Sequence, residues 1–191
     1  MNELFAMFNL SDLDECLAWP PNLMPEGYGD LEVESFEVWW NKHCDELQHL
    51  PIEVSKQWIY RHWSDSIAKF IPLEGLSCRE EVWPAIDFIE KVGTIRGNEP
   101  MNPEHDYNVF SGRLDGQKLP TASALDQGEW DYPPIVLVTP NGFIDPMQEH
   151  IDMPYFLVEG HKRRRYLNAM LHRGKSVKNQ RVYILDSPFI N

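Results

Sequence analysis

The sequence predicts an α+β protein in which a helical N-terminal layer flanks a small α/β unit at the C-terminus. Three observations carry that prediction. Apolar residues recur at helical spacing through the first 92 positions, short continuous apolar runs appear from Ile135 onward, and a glycine-bounded helical pattern separates the last two of those runs. The 191 residues are 42% hydrophobic and 12% aromatic, which is ample for a packed core and argues against a disordered chain. The expected organisation is a helical region over 1–93, an irregular loop or linker over 94–133 and the α/β unit over 134–191.

Ser35 is placed to cap a first helix, in which Phe36, Trp39, Trp40, His43 and Leu47 form one apolar stripe. Leu50-Pro51 ends it, and Pro51 opens a second helix with Val54, Trp58, Ile59, His62 and Trp63 on its apolar face, closing by Pro72. Ser77-Cys78-Arg79-Glu80 has the pattern of a capping box ahead of Val82, Trp83, Ile86, Ile89 and Val92, with Gly93 as a helix stop. From Thr94 to Pro134 glycine, proline, asparagine and aspartate dominate, with a hairpin turn expected at Asp115-Gly116. The legible part resumes with Ile135-Val136-Leu137-Val138, a buried strand, and a turn at Asn141-Gly142. Tyr155-Phe156-Leu157-Val158 is a second strand ending at Glu159-Gly160. The helix after it carries Leu167, Met170 and Leu171 on one face and Gly174 as its cap, and Val182-Tyr183-Ile184-Leu185 is a third strand.

Charge narrows the function. The formal net charge is −13, so most of the surface repels nucleic acid and anionic membrane, and any anion site must be a local basic patch. Residues 1–8 carry no basic segment or long apolar run, and no stretch approaches the length of a membrane span. Cys16, Cys44 and Cys78 are scattered and odd in number, as expected of reduced thiols, so a cytoplasmic protein is the expectation. Two other features read as structural. The spacings of His43, Cys44, His49, His62 and Cys78 match no zinc motif, and His43 and His62 fall on apolar faces. The seven tryptophans follow helical spacing and fit a core or a partner-binding face, while Asp12, Asp14, Glu15, Glu32, Glu34 and Glu37 fit a solvated surface or, alternatively, a protein-binding face that mimics an anion or shields a basic partner.

The basic patch is Lys162-Arg163-Arg164-Arg165, directly after Glu159-Gly160-His161. Four cations in the first turn of a helix oppose the helix dipole, which suggests that an anion binds there. Glycine at a strand-to-helix turn admits close backbone approach, and the free N–H groups of the first turn suit a phosphate. Helical phase sets Arg163 on the inward face with Leu167 and Met170 and Arg165 toward solvent, with Lys162 and Arg164 between. The expected ligand set is Arg163 with the Gly160 and His161 amides, assisted by Lys162, and Arg163→Ala is expected to lose binding with the fold intact.

The stretch Tyr155-Phe156-Leu157-Val158-Glu159-Gly160-His161-Lys162-Arg163-Arg164-Arg165-Tyr166 resembles the ParB/sulfiredoxin signature, a strand ending in an acidic residue and glycine before a basic helix start. Partition proteins of the ParB type read Gly-Glu-Arg-Arg-x-Arg there and hold nucleotide phosphates with it. The related ADP-dependent free serine kinases read Asp-Gly-His-Thr-Arg, similar to Glu159-Gly160-His161-Lys162-Arg163. Sulfiredoxin places a catalytic cysteine where this chain has His161, so its chemistry is not expected. Pro133-Pro134-Ile135-Val136-Leu137-Val138 also resembles the family's first strand, and the likeness covers about 135–186. It implies a phosphate-bearing small molecule or nucleotide, with magnesium, held by Glu159, Gly160, His161, Lys162, Arg163 and Arg164, and phosphotransfer or nucleotide hydrolysis as the reaction class. No helix-turn-helix segment follows the motif, so DNA binding is not expected, and no catalytic carboxylate can be assigned. The alternative is a non-catalytic acidic interaction module, such as an antitoxin or immunity protein. A cleft with an unpaired Arg163 favours the ligand, and Arg163 buried against Asp or Glu favours the module.

Overall fold

A computed structural model describes residues 8–9, 19–63, 71–95, 102–114, 116–145 and 147–190. It has an α+β fold built on a five-stranded mixed sheet. The strands of that sheet are β2 (Ser77–Trp83), β3 (Val92–Gly93), β4 (Ile135–Val138), β7 (Tyr155–Glu159) and β8 (Gln180–Asp186), in the order β2-β8-β4-β7-β3. β1 (Phe8–Asn9), β5 (Phe143–Ile144) and β6 (His150–Ile151) form a second, small sheet. β4 lies antiparallel to β7 and parallel to β8, so the helix joining β7 to β8 crosses over it.

The continuous apolar runs of β4, β7 and β8 follow from cover on both faces. Ile135, Leu137, Phe156, Val158, Tyr183 and Leu185 point to one side. Val136, Leu157, Val182 and Ile184 point to the other. Alternation at period two divides each strand between two cores.

The first core is closed by the N-terminal layer: α1 (Phe36–Leu47) and α2 (Ile52–Val54), the latter continuing as a π-helical turn over Ser55–Tyr60. Ser35 caps α1 by accepting from the Val38 N–H at 3.4 Å. Trp19, Trp39 and Trp58 are buried here, which settles their role as core. Two indole N–H groups are anchored on backbone, Trp19 to the Ile71 carbonyl at 3.0 Å and Trp39 to that of Leu23 at 2.8 Å. Glu34 departs from the expected solvated acidic surface, because it turns inward and takes a salt bridge from Lys42 at 2.7 Å. Asp12, Asp14 and Glu15 lie outside the described residues.

The second core is closed by α3 (Ala85–Lys91), α4 (Pro103–Phe110), α5 (Pro120–Asp126) and α6 (His161–His172). Here two expectations are corrected. Ser77–Glu80 is strand β2, not a capping box, because its seven residues pair in register with β8 from Ser77↔Asp186 to Trp83↔Gln180. Helix α3 begins only after Pro84, and it buries Ala85 and Phe88 while leaving Ile86 exposed. Residues 94–133, expected to be irregular, hold α4 and α5. Each opens on a proline, with Asn102 capping α4 by accepting from the His105 N–H at 3.0 Å. Among the described residues no strands flank Gly116, and Asp115 lies outside them.

α6 ends as its sequence predicts. The Gly174 N–H donates to the Leu171 carbonyl and the Lys175 N–H to that of Met170, with Gly174 at φ +67°. No helix among the described residues is long and apolar enough to cross a membrane.

Candidate functional site

The C-terminal end of β7 and the start of α6 open into a cleft of about 570 Å³. Its walls include Arg61 and His62 from beyond the π-helical turn, Thr121 from α5, Asp131 and Tyr132 from the segment before β4, and Glu159, His161, Lys162 and Arg163. That size lies in the range of small-molecule sites.

Gly160 turns the chain between β7 and α6 at φ +112°. A Cβ there would stand 2.7 Å from the Pro134 side chain and 3.2 Å from its Cα. The glycine is therefore required by packing of the turn on Pro134, not only by approach of a ligand. The first α-helical bond is donated by the Arg164 N–H to the Gly160 carbonyl at 2.9 Å, which puts the His161, Lys162 and Arg163 N–H groups at the helix start.

The four cations have separate fates. Arg163 leans inward as its phase predicts, but it is 5% exposed and neutralised. Its Nε donates to Asp131 Oδ1 at 2.8 Å and its Nη1 to Glu159 Oε1 at 3.1 Å, with the Tyr132 ring 5.6 Å from the guanidinium. The network continues outward. Thr121 Oγ1 donates to Asp131 Oδ2 at 3.0 Å, and His62 Nε2 stands 3.7 Å from Glu159 Oε2. Arg164 turns away, donating from Nη2 to the Ile89 carbonyl at 3.2 Å, and burial lowers its pKa. Arg165 is half exposed and binds Asp106, a buried carboxylate, through Nε at 3.1 Å. It is a tie between α6 and α4, not simply a solvent-facing charge.

Lys162 is exposed on the cleft wall. Among the described residues, Lys162 and Arg61 are the cleft cations that no carboxylate pairs. His161 is also exposed to the cleft. Crowding by surrounding protein lowers its pKa, against an opposing pull from the Glu159 carboxylate.

Of the six expected site residues, the cleft gathers Glu159, His161, Lys162 and Arg163; Gly160 forms the turn beneath it, and Arg164 faces α3. The sequence reading missed Arg61, Asp131 and Tyr132, and it placed His62 in the core, whereas His62 lines the cleft. Asp131 and Tyr132 carry one usable signal, since they directly precede the Pro133-Pro134 entry to β4. Arg61 and His62 carry none, because the π-helical turn shifts the phase on which the apolar stripe was read.

Asp131 and Glu159 are the carboxylates that a magnesium ion carried by ligand phosphates could meet, and both already accept from Arg163. Among the described residues no three His, Cys, Asp or Glu side chains converge to hold a metal on their own. Comparison with known proteins finds no matching family, no matching curated protein and no matching solved structure.

Proposed function

We propose that this protein binds a phosphate-bearing small molecule, such as a nucleotide, in the cleft at the start of α6. The single observation that supports this most is the convergence of Lys162 and Arg61, cations without an acidic partner among the described residues, on a cleft at a helix N-terminus. Around them the protein carries a net charge of −13. The ligand role thus shifts from Arg163 to Lys162, Arg61 and the first amides of α6. Glu159, His161 and Arg163 of the ParB/sulfiredoxin-like Glu-Gly-His-x-Arg run line the same cleft, and the likeness belongs to this proposal. Reduced thiols at Cys44 and Cys78 suit a cytoplasmic setting.

The test is a thermal-shift titration with pyrophosphate and nucleoside di- and triphosphates, with and without magnesium. A ligand at a hundred times its Kd adds about 2.7 kcal/mol. For a chain of this length that raises Tm by roughly 5–10 °C. The shift is expected to vanish in the Lys162→Ala/Arg61→Ala double variant. No shift with any of these compounds refutes the proposal.

A second reading has its own observation. Arg163 is buried against Asp131 and Glu159, the arrangement expected of an interaction module that keeps the motif as structure. Under that reading the cleft binds no phosphate, and a pull-down recovers a protein partner that Lys162→Ala does not affect.

A further inference from the structure

Several of the cleft's lone-pair donors are already engaged within the protein. Asp131 and Glu159 both accept from Arg163, at 2.8 and 3.1 Å, so neither carboxylate is a free base. The Thr121 hydroxyl donates to Asp131 Oδ2 at 3.0 Å. His62 faces the Glu159 carboxylate, with Nε2 3.7 Å from Oε2. His161 differs from all of these. It is exposed on the cleft wall, and its ring takes part in no hydrogen bond or ion pair among the described residues. Lys162, its neighbour in the chain, and Arg61 line the same cleft.

We propose that His161 is a phosphoryl acceptor, a nucleophile that takes the terminal phosphoryl group of a phosphoanhydride bound in this cleft. The inference rests on the phosphate reading of the cleft and adds turnover to it. A histidine with its ordinary pKa of about 6.5 is mostly neutral at pH 7 and keeps a lone pair on one ring nitrogen. That nitrogen attacks the terminal phosphorus. The N–P bond forms as the P–O bond to the bridging oxygen breaks. The electron pair leaves with the shortened phosphate, whose charge Lys162 and Arg61 offset. The proton on the other ring nitrogen passes to solvent. Water then attacks the same phosphorus, the N–P bond breaks, inorganic phosphate departs and the ring regains a proton. Local charge favours this role over that of a general base. A base would gain a positive charge in a cleft with two unpaired cations, whereas a phosphoryl group brings them roughly two negative charges. Glu159 pulls the other way, and its charge is already shared with Arg163.

Covalent labelling decides it. Wild-type protein is mixed with magnesium and with nucleoside triphosphates or pyrophosphate carrying radioactive phosphorus in the terminal group, then quenched in alkali from milliseconds to minutes. The protein is expected to carry a label that survives alkali, is lost in acid and maps by mass spectrometry to His161. Labelling by triphosphates alone supports the inference with a nucleotide as donor, and labelling by pyrophosphate supports it with the bare anhydride sufficing. His161→Gln keeps the backbone amide of the first turn and a neutral polar side chain. It is expected to retain the thermal shift with the same compounds while labelling falls by about a hundredfold or more. His62→Gln is expected to keep the label on His161. A thermal shift with no label at any quench time, a label that His161→Gln keeps, or a label that maps to another residue overturns this inference and leaves the phosphate site standing. Neither shift nor label with any donor overturns both.

Discussion

Arg163→Met separates the structural role of the buried arginine from any role in binding. The methionine keeps much of the apolar stem and removes the charge, leaving Asp131 and Glu159 without the cation that donates to both. Removing one partner of a buried ion pair costs about 3–5 kcal/mol. The low end applies here. The Asp131 and Glu159 side chains keep 20% and 17% exposure, so water partly screens them. Asp131 also retains the Thr121 hydroxyl and the Tyr132 N–H. At about 3 kcal/mol, and about 2–4 °C per kcal/mol for a chain of this length, the ligand-free variant should melt roughly 6–12 °C below wild type. Lys162→Met, on the exposed wall, should change stability by no more than about 0.5 kcal/mol. Differential scanning calorimetry of both ligand-free variants makes the comparison. An Arg163→Met melt within 2 °C of wild type would refute the structural assignment and return Arg163 to the set of free ligands.

Three other predictions follow from single contacts. Gly160→Ala combines a backbone held at φ +112° with a Cβ 2.7 Å from Pro134, so it should destabilise by at least about 1–3 kcal/mol, read as a lowered midpoint in urea. Arg181 donates two hydrogen bonds to Glu80 across the β2–β8 edge and holds its carboxyl below the ordinary range. A lowered folded pKa stabilises above the unfolded value and is lost as pH falls through the folded one. The Tm gap between wild type and Glu80→Gln should therefore be present at pH 7 and close below about pH 4. It should stay under about 1 kcal/mol because the pair is exposed. Burial pushes the Cys78 thiol up to about 12, so at pH 8 alkylation followed by mass spectrometry should label it only in unfolded protein.

The parts of this fold that local rules determine were legible in the sequence. β4, β7 and β8 are short apolar runs because each is covered on both faces. α6 is bounded by glycines whose positive φ marks its ends. α1 carries its own cap in Ser35. What escaped depends on distant partners. Ser77–Trp83 satisfies a capping pattern locally, yet seven residues of register with β8, about a hundred positions away, make it a strand. Gly93 has the sequence look of a helix stop. It is a glycine for another reason, since a Cβ there would stand 2.6 Å from Ile151 and 2.9 Å from Phe143. α4 and α5 are short and start on prolines in a stretch rich in turn residues, so periodicity had little length in which to show. The candidate site divides the same way: the α6 side came from one contiguous motif, while the facing wall comes from residues 61–62, 121 and 131–132.

That division bears on how an anion would be held. Arg61, Lys162 and Arg163 set three positive charges on the cleft against the two of Asp131 and Glu159, an excess of one. Both carboxylates are committed to Arg163, which fixes the start of α6 against β7 and the segment before β4 and leaves the geometry of the first amides independent of ligand. The excess positive charge resides instead on two accessible side chains, Arg61 after the π-helical turn and Lys162 at the start of α6. An arrangement of this kind separates rigidity from attraction: the buried arginine supplies the first, and Lys162 with Arg61 supplies the second. Attraction by accessible charges is screened by salt over about 8 Å at physiological ionic strength. On the phosphate proposal, affinity in this cleft should consequently fall with added salt while the melting temperature of the ligand-free protein changes little.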